Sequence, residues 1–279
     1  MTQPAPLTWL YVPADRPDRV EKALASRAHA VIVDLEDAVA PAAKEAARAG
    51  LPALLGDPVD RLVHVRVNAL ATPFALDDLA AAAELAGVAG VTVAKVEDAA
   101  DAERAVELAG GKRVQCLIES ARGVEHAYAI ASVPGVTGIS LGEADLGGET
   151  GASGTGLDWA RSRIVNAACA AGLPRPPQSV YPNVRDLDGL RLSCVRGREL
   201  GHLGRTAIHP DQLPVIESVY LPTEAEAERA RALVAGFDGR SDSGVGAYAL
   251  DDGSFVDAAL VRSARQVAAL ADRYGTREG

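Results

Sequence analysis

The sequence is poor in cysteine and in aromatic residues, and it has no long apolar run. Its three cysteines, at 116, 169 and 194, form no C-x-x-C pair, which argues against a disulfide framework or a zinc knuckle. No stretch reaches the roughly 18 apolar residues of a membrane span, and the start, MTQPAPLTWLYVP, lacks the pattern of a signal peptide. We therefore expect a cytoplasmic protein with no membrane partner, neither exported nor anchored.

Basic residues are also in deficit. The chain has 28 lysines and arginines against 38 acidic residues, a formal charge of −10, and no basic run. Such a field repels phosphate backbones, so nucleic acid is not an expected partner. The apolar fraction of 48% is rich in alanine and valine, which suits helices packed closely on a sheet. At 279 residues the chain has a length that α/β barrels reach as one domain.

Short β-type runs alternate with longer alanine-rich helical stretches along most of the chain. Near-continuous apolar strands separated by single helices indicate parallel strands covered on both faces. The eight candidate strands are residues 8–14, 30–37, 61–68, 90–97, 113–120, 136–146, 179–184 and 205–210. Eight such units predict an α/β fold of the TIM (β/α)8 barrel type rather than an open doubly wound sheet.

The residues after the last candidate strand are additional to the barrel. A helical segment, PTEAEAERARALVAGF, is followed by a glycine- and serine-rich link over 236–254 and by an amphipathic helix from about 256 to 274. We therefore divide the chain into a catalytic barrel with a trailing helix, 1–235, and a C-terminal helical extension with its link, 236–279. The extension is expected to reach a neighbouring subunit.

Charged and polar residues cluster where the candidate strands end. In a TIM barrel these ends converge on the active site. One charged strand end is usually just solvated, but six in succession indicate a site. The residues are Arg16, Glu36, Asp37, Arg66, Asn68, Lys95, Glu97, Glu119, Arg122, Glu143 and Asp145.

Glu119 and Asp145 form the most informative pair, because neighbouring strands place two carboxylates close together. Neither motif contains a lysine, and like charges this near need a cation or a shared proton. Two carboxylates completed by waters and substrate oxygens describe a Mg²⁺ site, and the absence of cysteine and histidine there argues against zinc or copper. A salt-bridged arrangement with Arg122 or Lys95 is the alternative.

An ordered set of motifs resembles the HpcH/HpaI aldolase/citrate lyase superfamily, in particular its citrate lyase β-subunit-like members. The motifs are LYVPADRPDRVEKA, VIVDLEDAV, VRVN, AKVED, IESARGV, LGEADL and AIHPDQ. The resemblance implies that Glu119 and Asp145 hold Mg²⁺, that Arg66 holds the substrate, and that Glu36 and Asp37 line the water shell of the metal. It also implies cleavage or formation of a carbon–carbon bond between a 2-oxo acid and an acetyl thioester.

The C-terminal segment GSFVDAALVRSAR resembles one in which an aspartate from a neighbouring subunit closes the active site, and Asp257 takes that place. On the residues alone, Asp257 is an ordinary helix N-cap. For coenzyme A we assign Arg16 and Arg19, in a locally basic stretch after the first strand, together with Lys95. A solvated helix face is the alternative for the two arginines.

One acidic residue departs from the family pattern, and one glycine-dense stretch matches no nucleotide-binding motif. Glu143 is displaced by one residue from the usual acidic neighbour of the metal-binding aspartate, so we expect its side chain to face elsewhere. The glycine-dense stretch LGGETGASGTG, 146–156, is neither a P-loop nor a dinucleotide motif, and we expect a mobile active-site loop there.

These observations predict a Mg²⁺-dependent carbon–carbon lyase. Its expected substrate is a 3-hydroxyacyl-coenzyme A thioester of the citramalyl-CoA or malyl-CoA type, and its products are acetyl-CoA and a 2-oxo acid. Two alternatives remain: the β-subunit of a citrate lyase complex acting on a citryl group on an acyl-carrier protein, and a non-catalytic thioester-binding subunit. A homo-oligomer, trimer or hexamer, with active sites shared between subunits is expected.

Overall fold

The computed structural model describes residues 5–241, 248–249 and 255–277. The chain forms two compact units, one of residues 6–216 and one of residues 217–279 with 1–5. In the part of the chain that is described, no helix is both long and apolar enough to cross a membrane.

The larger unit is built on a seven-stranded sheet in which every pairing is parallel, as the near-continuous apolar strands predict. The order across the sheet is β6-β5-β4-β3-β2-β1-β7. Its strands are β1 (Thr8–Pro13), β2 (Ala30–Asp34), β3 (Leu62–Val67), β4 (Gly90–Val93), β5 (Arg113–Ile118), β6 (Val136–Leu141) and β7 (Arg205–Ala207). An α/β fold with a parallel sheet is therefore confirmed.

Helices follow the strands of this unit. They are α1 (Pro17–Leu24), α2 (Lys44–Leu55), α3 (Ala75–Glu84), α4 (Ala99–Leu108), α5 (Ala121–Glu125), α6 (Ala127–Ala131), α7 (Glu143–Thr150), α8 (Asp158–Ala170) and α9 (Leu187–Glu199). Side-chain caps start several of them, as at α4 and α5, where Asp98 and Ser120 accept backbone N–H bonds. Their small buried faces, such as Ala102 and Ala105 of α4, allow close packing on the strands.

The core lies between the sheet and these helices. All five residues of β2 and all four of β4 are buried, because strands in a parallel sheet are covered on both faces. Burying each valine, leucine or isoleucine side chain contributes about 1.5–3 kcal/mol. The buried strands therefore hold the polar residues at their ends in defined positions.

The predicted strand at 179–184 is wrong. Its place is taken by a single parallel bridge between Gln178 and Arg205, and Ser179 Oγ donates to the carbonyl of Leu141 at the end of β6. Pro182 lies within this stretch and Pro176 and Pro177 lie just before it, and proline has no N–H to donate to a strand ladder. The predicted strand at 205–210 is limited to β7, with Pro210 just beyond it.

Helix α10 (Gln212–Tyr220) begins in the larger unit and ends in the smaller one. The smaller unit contains α11 (Glu224–Ser241), a two-stranded pair of β8 (Tyr248–Ala249) and β9 (Phe255–Val256), and α12 (Ala258–Tyr274). Arg231 of α11 donates to Asp272 of α12 at 2.7 Å. Helix α11 extends to Ser241, so it covers the first residues of the predicted link, of which 242–247 and 250–254 lie outside the described residues.

Candidate active site

A cluster of charged side chains lies at the C-terminal edge of the sheet, as expected from the strand ends. Arg66 is in β3, and Glu36, Lys95 and Glu119 follow β2, β4 and β5. Asp145 is in the first turn of α7, just beyond β6. Because parallel strands all end at one edge, residues separated by more than a hundred positions meet here.

Arg66 is the most completely bound member of the cluster. Its Nε and one terminal nitrogen donate to the two carboxylate oxygens of Asp34 at 2.7 and 2.5 Å. The other terminal nitrogen lies 2.9 Å from Glu36 Oε2 and 3.7 Å from Asp37 Oδ2. The ring of Tyr11 covers the guanidinium at 4.9 Å. Arg66 is therefore a fixed cation with one defined orientation.

Lys95 places a second cation among the carboxylates. Its Nζ lies 3.0 Å from Asp145 Oδ2, 3.1 Å from Glu36 Oε1 and 3.7 Å from Glu119 Oε1. Its backbone N–H donates to Glu119 Oε1 at 2.9 Å. Among the described residues, it is the one non-glycine residue with a positive φ, 55°, a conformation that costs about 1–3 kcal/mol. The surrounding contacts hold this strained backbone in place.

The pKa values of Glu119 and Asp145 are shifted in opposite directions. Burial raises the pKa of Glu119 to about 8, and its hydrogen bond with Asp145 adds to the rise while Lys95 opposes it. The same hydrogen bond, followed by the contact with Lys95, lowers the pKa of the more exposed Asp145. The ammonium of Lys95 lies beside both carboxylates, 3.7 Å from Glu119 Oε1 and 3.0 Å from Asp145 Oδ2.

Gly142 keeps space open beside Glu119. A Cβ at this position would lie 2.5 Å from both Cβ and Oε2 of Glu119, closer than two such atoms can approach. The glycine that ends β6 therefore lets the Glu119 carboxylate lie against the chain that leads to Asp145.

The D-L-E-D segment contributes residues of different character. Glu36 is 5% exposed, and burial raises its pKa against the opposing effect of Arg66. The side chain of Asp37 is 62% exposed. Glu36 therefore belongs to the buried charge cluster, and Asp37 lies at its solvent side.

Other residues singled out in the sequence lie outside this cluster or at its edge. Arg122 pairs with Asp98 at 2.7 Å rather than with the Glu119–Asp145 pair. Glu143 faces elsewhere, as expected, because Arg161 of α8 binds its carboxylate. Arg16 and Arg19 are exposed at the start of α1, on the C-terminal side of β1, and Arg16 pairs with Asp18 at 3.2 Å.

The structure also describes Asp257 and the glycine-dense stretch 146–156, both of which the sequence singled out. Asp257 caps α12 by accepting the N–H of Leu260 at 2.8 Å. The stretch 146–156 is partly helical: α7 extends to Thr150, Gly151 ends it with φ 74°, and a 3₁₀ helix covers Gly154–Leu157. The expectation of a loop over this whole stretch is therefore wrong, because α7 continues through Gly147 and Gly148 and ends only at Gly151, whose left-handed backbone terminates the helix.

Sequence reasoning missed Asp34 and Tyr11. Asp34 is the last residue of β2 and lies directly opposite Arg66 in the β2–β3 register. The signal was available, since Asp34 is the first acid of the D-L-E-D motif and the strand before it is entirely apolar. Tyr11 gave no such signal, because a tyrosine within a strand is usually a packing residue.

The residues fit a magnesium ion. Glu119 and Asp145 present oxygen donors on neighbouring elements, and Mg²⁺ takes one or two carboxylates while keeping several waters. In the described ranges no three histidine, cysteine or acidic side chains converge closely enough to hold one ion, so water and substrate oxygens would complete the shell. Burial is the main reason that the pKa of Glu119 is raised, and a bound cation would favour the charged form of this carboxyl group.

Comparison with known proteins adds three findings. The model of the HpcH/HpaI aldolase/citrate lyase family matches residues 7–210. The chain is 36% identical over 276 residues to a (3S)-malyl-CoA thioesterase of Cereibacter sphaeroides, covering 94% of this chain and 93% of that protein. It is 33% identical to an L-malyl-CoA/β-methylmalyl-CoA lyase of the same species, with 92% of each covered.

Among solved structures, the fold is similar to that of the protein CitE from Mycobacterium tuberculosis in complex with magnesium, acetoacetate and coenzyme A. The TM-score is 0.78 and the identity 35%, and the match covers 96% of this chain and 99% of that one.

Proposed function

We propose that this protein, which belongs to the HpcH/HpaI aldolase/citrate lyase family, is a Mg²⁺-dependent carbon–carbon lyase. Its substrate is a 3-hydroxyacyl-CoA thioester of the malyl-CoA or citramalyl-CoA type. Cleavage of the bond between C2 and C3 gives acetyl-CoA and a 2-oxo acid, glyoxylate or pyruvate.

One observation carries the proposal. A rigid arginine and a pair of close carboxylates meet at one edge of the sheet, where Lys95 connects Glu36, Glu119 and Asp145 and Arg66 also binds Glu36. Glu119 and Asp145 would hold the Mg²⁺, which when bound supplies a Lewis acid for the oxygen of the 2-oxo acid. This chemistry matches the lyase among the relatives.

Arg66 stabilises the negative charge that develops on a substrate oxygen as the carbon–carbon bond breaks. Its charge is permanent, so no proton has to move to create it. Asp34 occupies the Nε side of the guanidinium. The opposite end, shared with Glu36, is therefore the part that meets a substrate carboxylate or enolate oxygen.

A general acid–base group must remove the proton of the 3-hydroxyl and deliver one to the enolate carbon. Glu36 is committed to Arg66 and Lys95, and Asp37 is exposed beside Arg66. We assign the acid–base role to Asp257 from a neighbouring subunit, with Glu36 and Asp37 ordering water around the ion. A homo-oligomer follows from this assignment, and we propose a trimer or hexamer.

Coenzyme A is bound by basic groups at the same edge of the sheet. Arg16 and Arg19 begin α1 directly after β1, where they can meet phosphates. The ammonium of Lys95, 42% exposed, faces the thioester side. The similar Mycobacterium tuberculosis protein was crystallised with coenzyme A, in agreement with a ligand of this class.

The sheet is proposed to be a TIM barrel. Gln178 and Ser179 bind to both β7 and the end of β6, so they supply the contact that an eighth strand would make. The catalytic domain spans residues 1–235, and residues 236–279 form the C-terminal extension that completes a neighbouring site.

Hydrolysis is the second candidate. The 36% identity with a (3S)-malyl-CoA thioesterase is slightly higher than the 33% identity with the lyase. The same carboxylates and arginine would then orient water towards the thioester carbonyl, giving malate and free coenzyme A. A citrate lyase β-subunit, which would use an acyl-carrier protein, differs in its carrier and not in the bond broken.

A coupled assay with purified malyl-CoA and citramalyl-CoA, with Mg²⁺ or with a chelator, tests the proposal. A lyase releases acetyl-CoA and a keto acid, and the thiol stays esterified. A thioesterase releases free coenzyme A, which reacts with a thiol reagent, and no keto acid forms. Turnover of citryl-acyl-carrier protein alone would favour the citrate lyase subunit, and no turnover with any thioester would overturn the proposal.

A further inference from the structure

Asp34 makes an unusual number of contacts for one carboxylate. Its Oδ1 accepts from Arg66 Nε at 2.7 Å and from the backbone N–H of Glu36 at 2.9 Å. Its Oδ2 accepts from the terminal nitrogen of Arg66 at 2.5 Å and from the backbone N–H of Ala38 at 3.2 Å. All four partners belong to Arg66 or to the loop after β2.

This carboxylate is shielded from any ligand. Asp34 is 1% exposed, and both of its oxygens are already occupied, so it can neither bind an ion nor exchange a proton with substrate. We infer that Asp34 is a positioning residue that sets the direction of Arg66 and the shape of the Glu36 loop. The inference rests on the proposed function, in which Arg66 meets a substrate oxygen.

The inference explains why Arg66 has one orientation. Arginine has a long side chain with many rotamers, and Glu36 and Asp37 are competing carboxylates nearby. The two-pronged contact with Asp34 and the ring of Tyr11 hold the guanidinium so that only its far terminal nitrogen faces them, 2.9 Å from Glu36 and 3.7 Å from Asp37. Its far end is therefore aimed before a substrate arrives, which is what stabilisation of a developing charge requires.

The same carboxylate fixes the loop from the inside. The N–H groups of Glu36 and Ala38 converge on it, while Lys44 Nζ binds the carbonyls of Leu35 and Glu36 from the other side at 2.7 and 2.6 Å. Asp34 thus couples the position of Arg66, in β3, to that of Glu36, in the loop after β2.

The substitution Asp34→Asn tests this role, because it keeps the size but places an NH₂ against N–H donors. The first measurement is calorimetric binding of oxalate, a dianion resembling the 2-oxo acid, in the presence of Mg²⁺. We expect affinity to fall at least about tenfold, and kcat/KM to fall about a hundredfold. Asp158→Asn is the matched control, since Asp158 also pairs with arginines, Arg161 and Arg196, each at 2.8 Å.

A double-mutant cycle with Arg66→Lys separates positioning from general support of the fold. If Asp34 acts through Arg66, the double variant loses little more kcat/KM than the worse single variant. Multiplied losses, or an Asp34→Asn protein that matches Asp158→Asn in affinity and rate, would overturn the inference.

Should Asp34→Asn fail to fold, Asp34→Glu retains the charge but moves it by one methylene group. We expect at least about tenfold weaker oxalate binding from the misaimed arginine, and wild-type affinity would overturn the inference. A wild-type protein that binds oxalate but turns over no thioester would overturn the proposed function while the oxalate comparison still tests Asp34.

Discussion

The ammonium nitrogen of Lys95 lies 3.0 Å from Oδ2 of Asp145, fifty residues further along the chain. The same nitrogen is close to Glu36 and Glu119. Of the two cations considered from the sequence as partners of the carboxylate pair, Lys95 is therefore present and Arg122 is bound elsewhere. An ion at Glu119 and Asp145 has to share these oxygens with a lysine.

This sharing predicts the effect of Lys95→Met on metal affinity. Removing one positive charge at about 3–4 Å leaves the carboxylates more negative, so Mn²⁺, used as a probe for Mg²⁺, should bind about tenfold more tightly. Calorimetry with Mn²⁺ measures the change. Lys112→Met controls for the loss of one charge, because Lys112 lies just before β5 and binds the backbone carbonyls of Leu85 and Val88. Unchanged or weaker binding would show that Lys95 does not compete with the ion.

The proposed ligands predict a second result. Glu119→Gln and Asp145→Asn should each abolish Mg²⁺-dependent turnover, because an amide oxygen is a much weaker ligand for a hard cation than a carboxylate. Circular dichroism should show an intact fold, since neither side chain supports the core. Glu97→Gln, a carboxylate at the same edge of the sheet that pairs with Arg122, should retain activity. Near wild-type turnover of either ligand variant would remove it from the metal site.

The positions of these residues could be predicted because strand ends are visible in the sequence. An apolar run followed by a charge, as at Ile118 and Glu119, marks the edge of a parallel sheet without any knowledge of side-chain directions. The contacts could not be predicted in the same way. That Lys95 turns into the cluster depends on its left-handed backbone, and that Asp34 binds Arg66 depends on the register of β2 and β3.

The seven-stranded sheet shows a second limit of prediction from the sequence. The run at 179–184 has β-type residues, but a strand in a sheet needs backbone N–H donors, and Pro182 within the run has none. The periodicity of apolar residues does not reveal whether a segment can form the hydrogen bonds of a sheet, so one of the eight predicted strands was wrong. The order and direction of the others followed from the alternation of strands and helices.

Arg66→Lys is expected to lower kcat/KM at least about tenfold, which corresponds to roughly 1.4 kcal/mol of transition-state stabilisation. Lysine keeps the charge but cannot bind Asp34 in two places and still present a free end to a substrate. Steady-state kinetics give the value. Arg48→Lys is a matched control, because Arg48 also binds a buried aspartate, Asp78, at 2.9 Å. An unaffected enzyme would leave Arg66 with a structural role alone.

The burial of His64 leads to a prediction of how the free energy of unfolding depends on pH. Burial, with a smaller effect of Arg113, lowers its pKa to about 3, whereas the unfolded chain has the ordinary value of about 6.5. Between these values the unfolded state binds the extra proton, so this residue makes the free energy of unfolding fall as pH decreases from about 6.5 towards 3. His64→Gln should therefore lose less stability than wild type over that range.

Urea unfolding of both proteins at several pH values measures the difference. His126→Gln, a change of an exposed histidine, should run parallel to wild type. Parallel curves for His64→Gln and wild type would show that His64 does not take part in the acid sensitivity.

The last prediction concerns the shared site. Asp257 caps α12, and a cap can be replaced by Asn with little loss of helix stability, so Asp257→Asn should fold but have no activity if Asp257 is the acid–base group. Mixed with inactive Asp145→Asn protein and allowed to exchange subunits, it should regain activity, because some sites then combine an intact metal pair with an intact Asp257 from the neighbour. If each subunit used its own Asp257, every site would retain one lesion and mixing would restore nothing. Subunit exchange is followed with differently tagged chains, so absence of recovery despite exchange would refute sharing, and a fully active Asp257→Asn protein would refute the catalytic role itself.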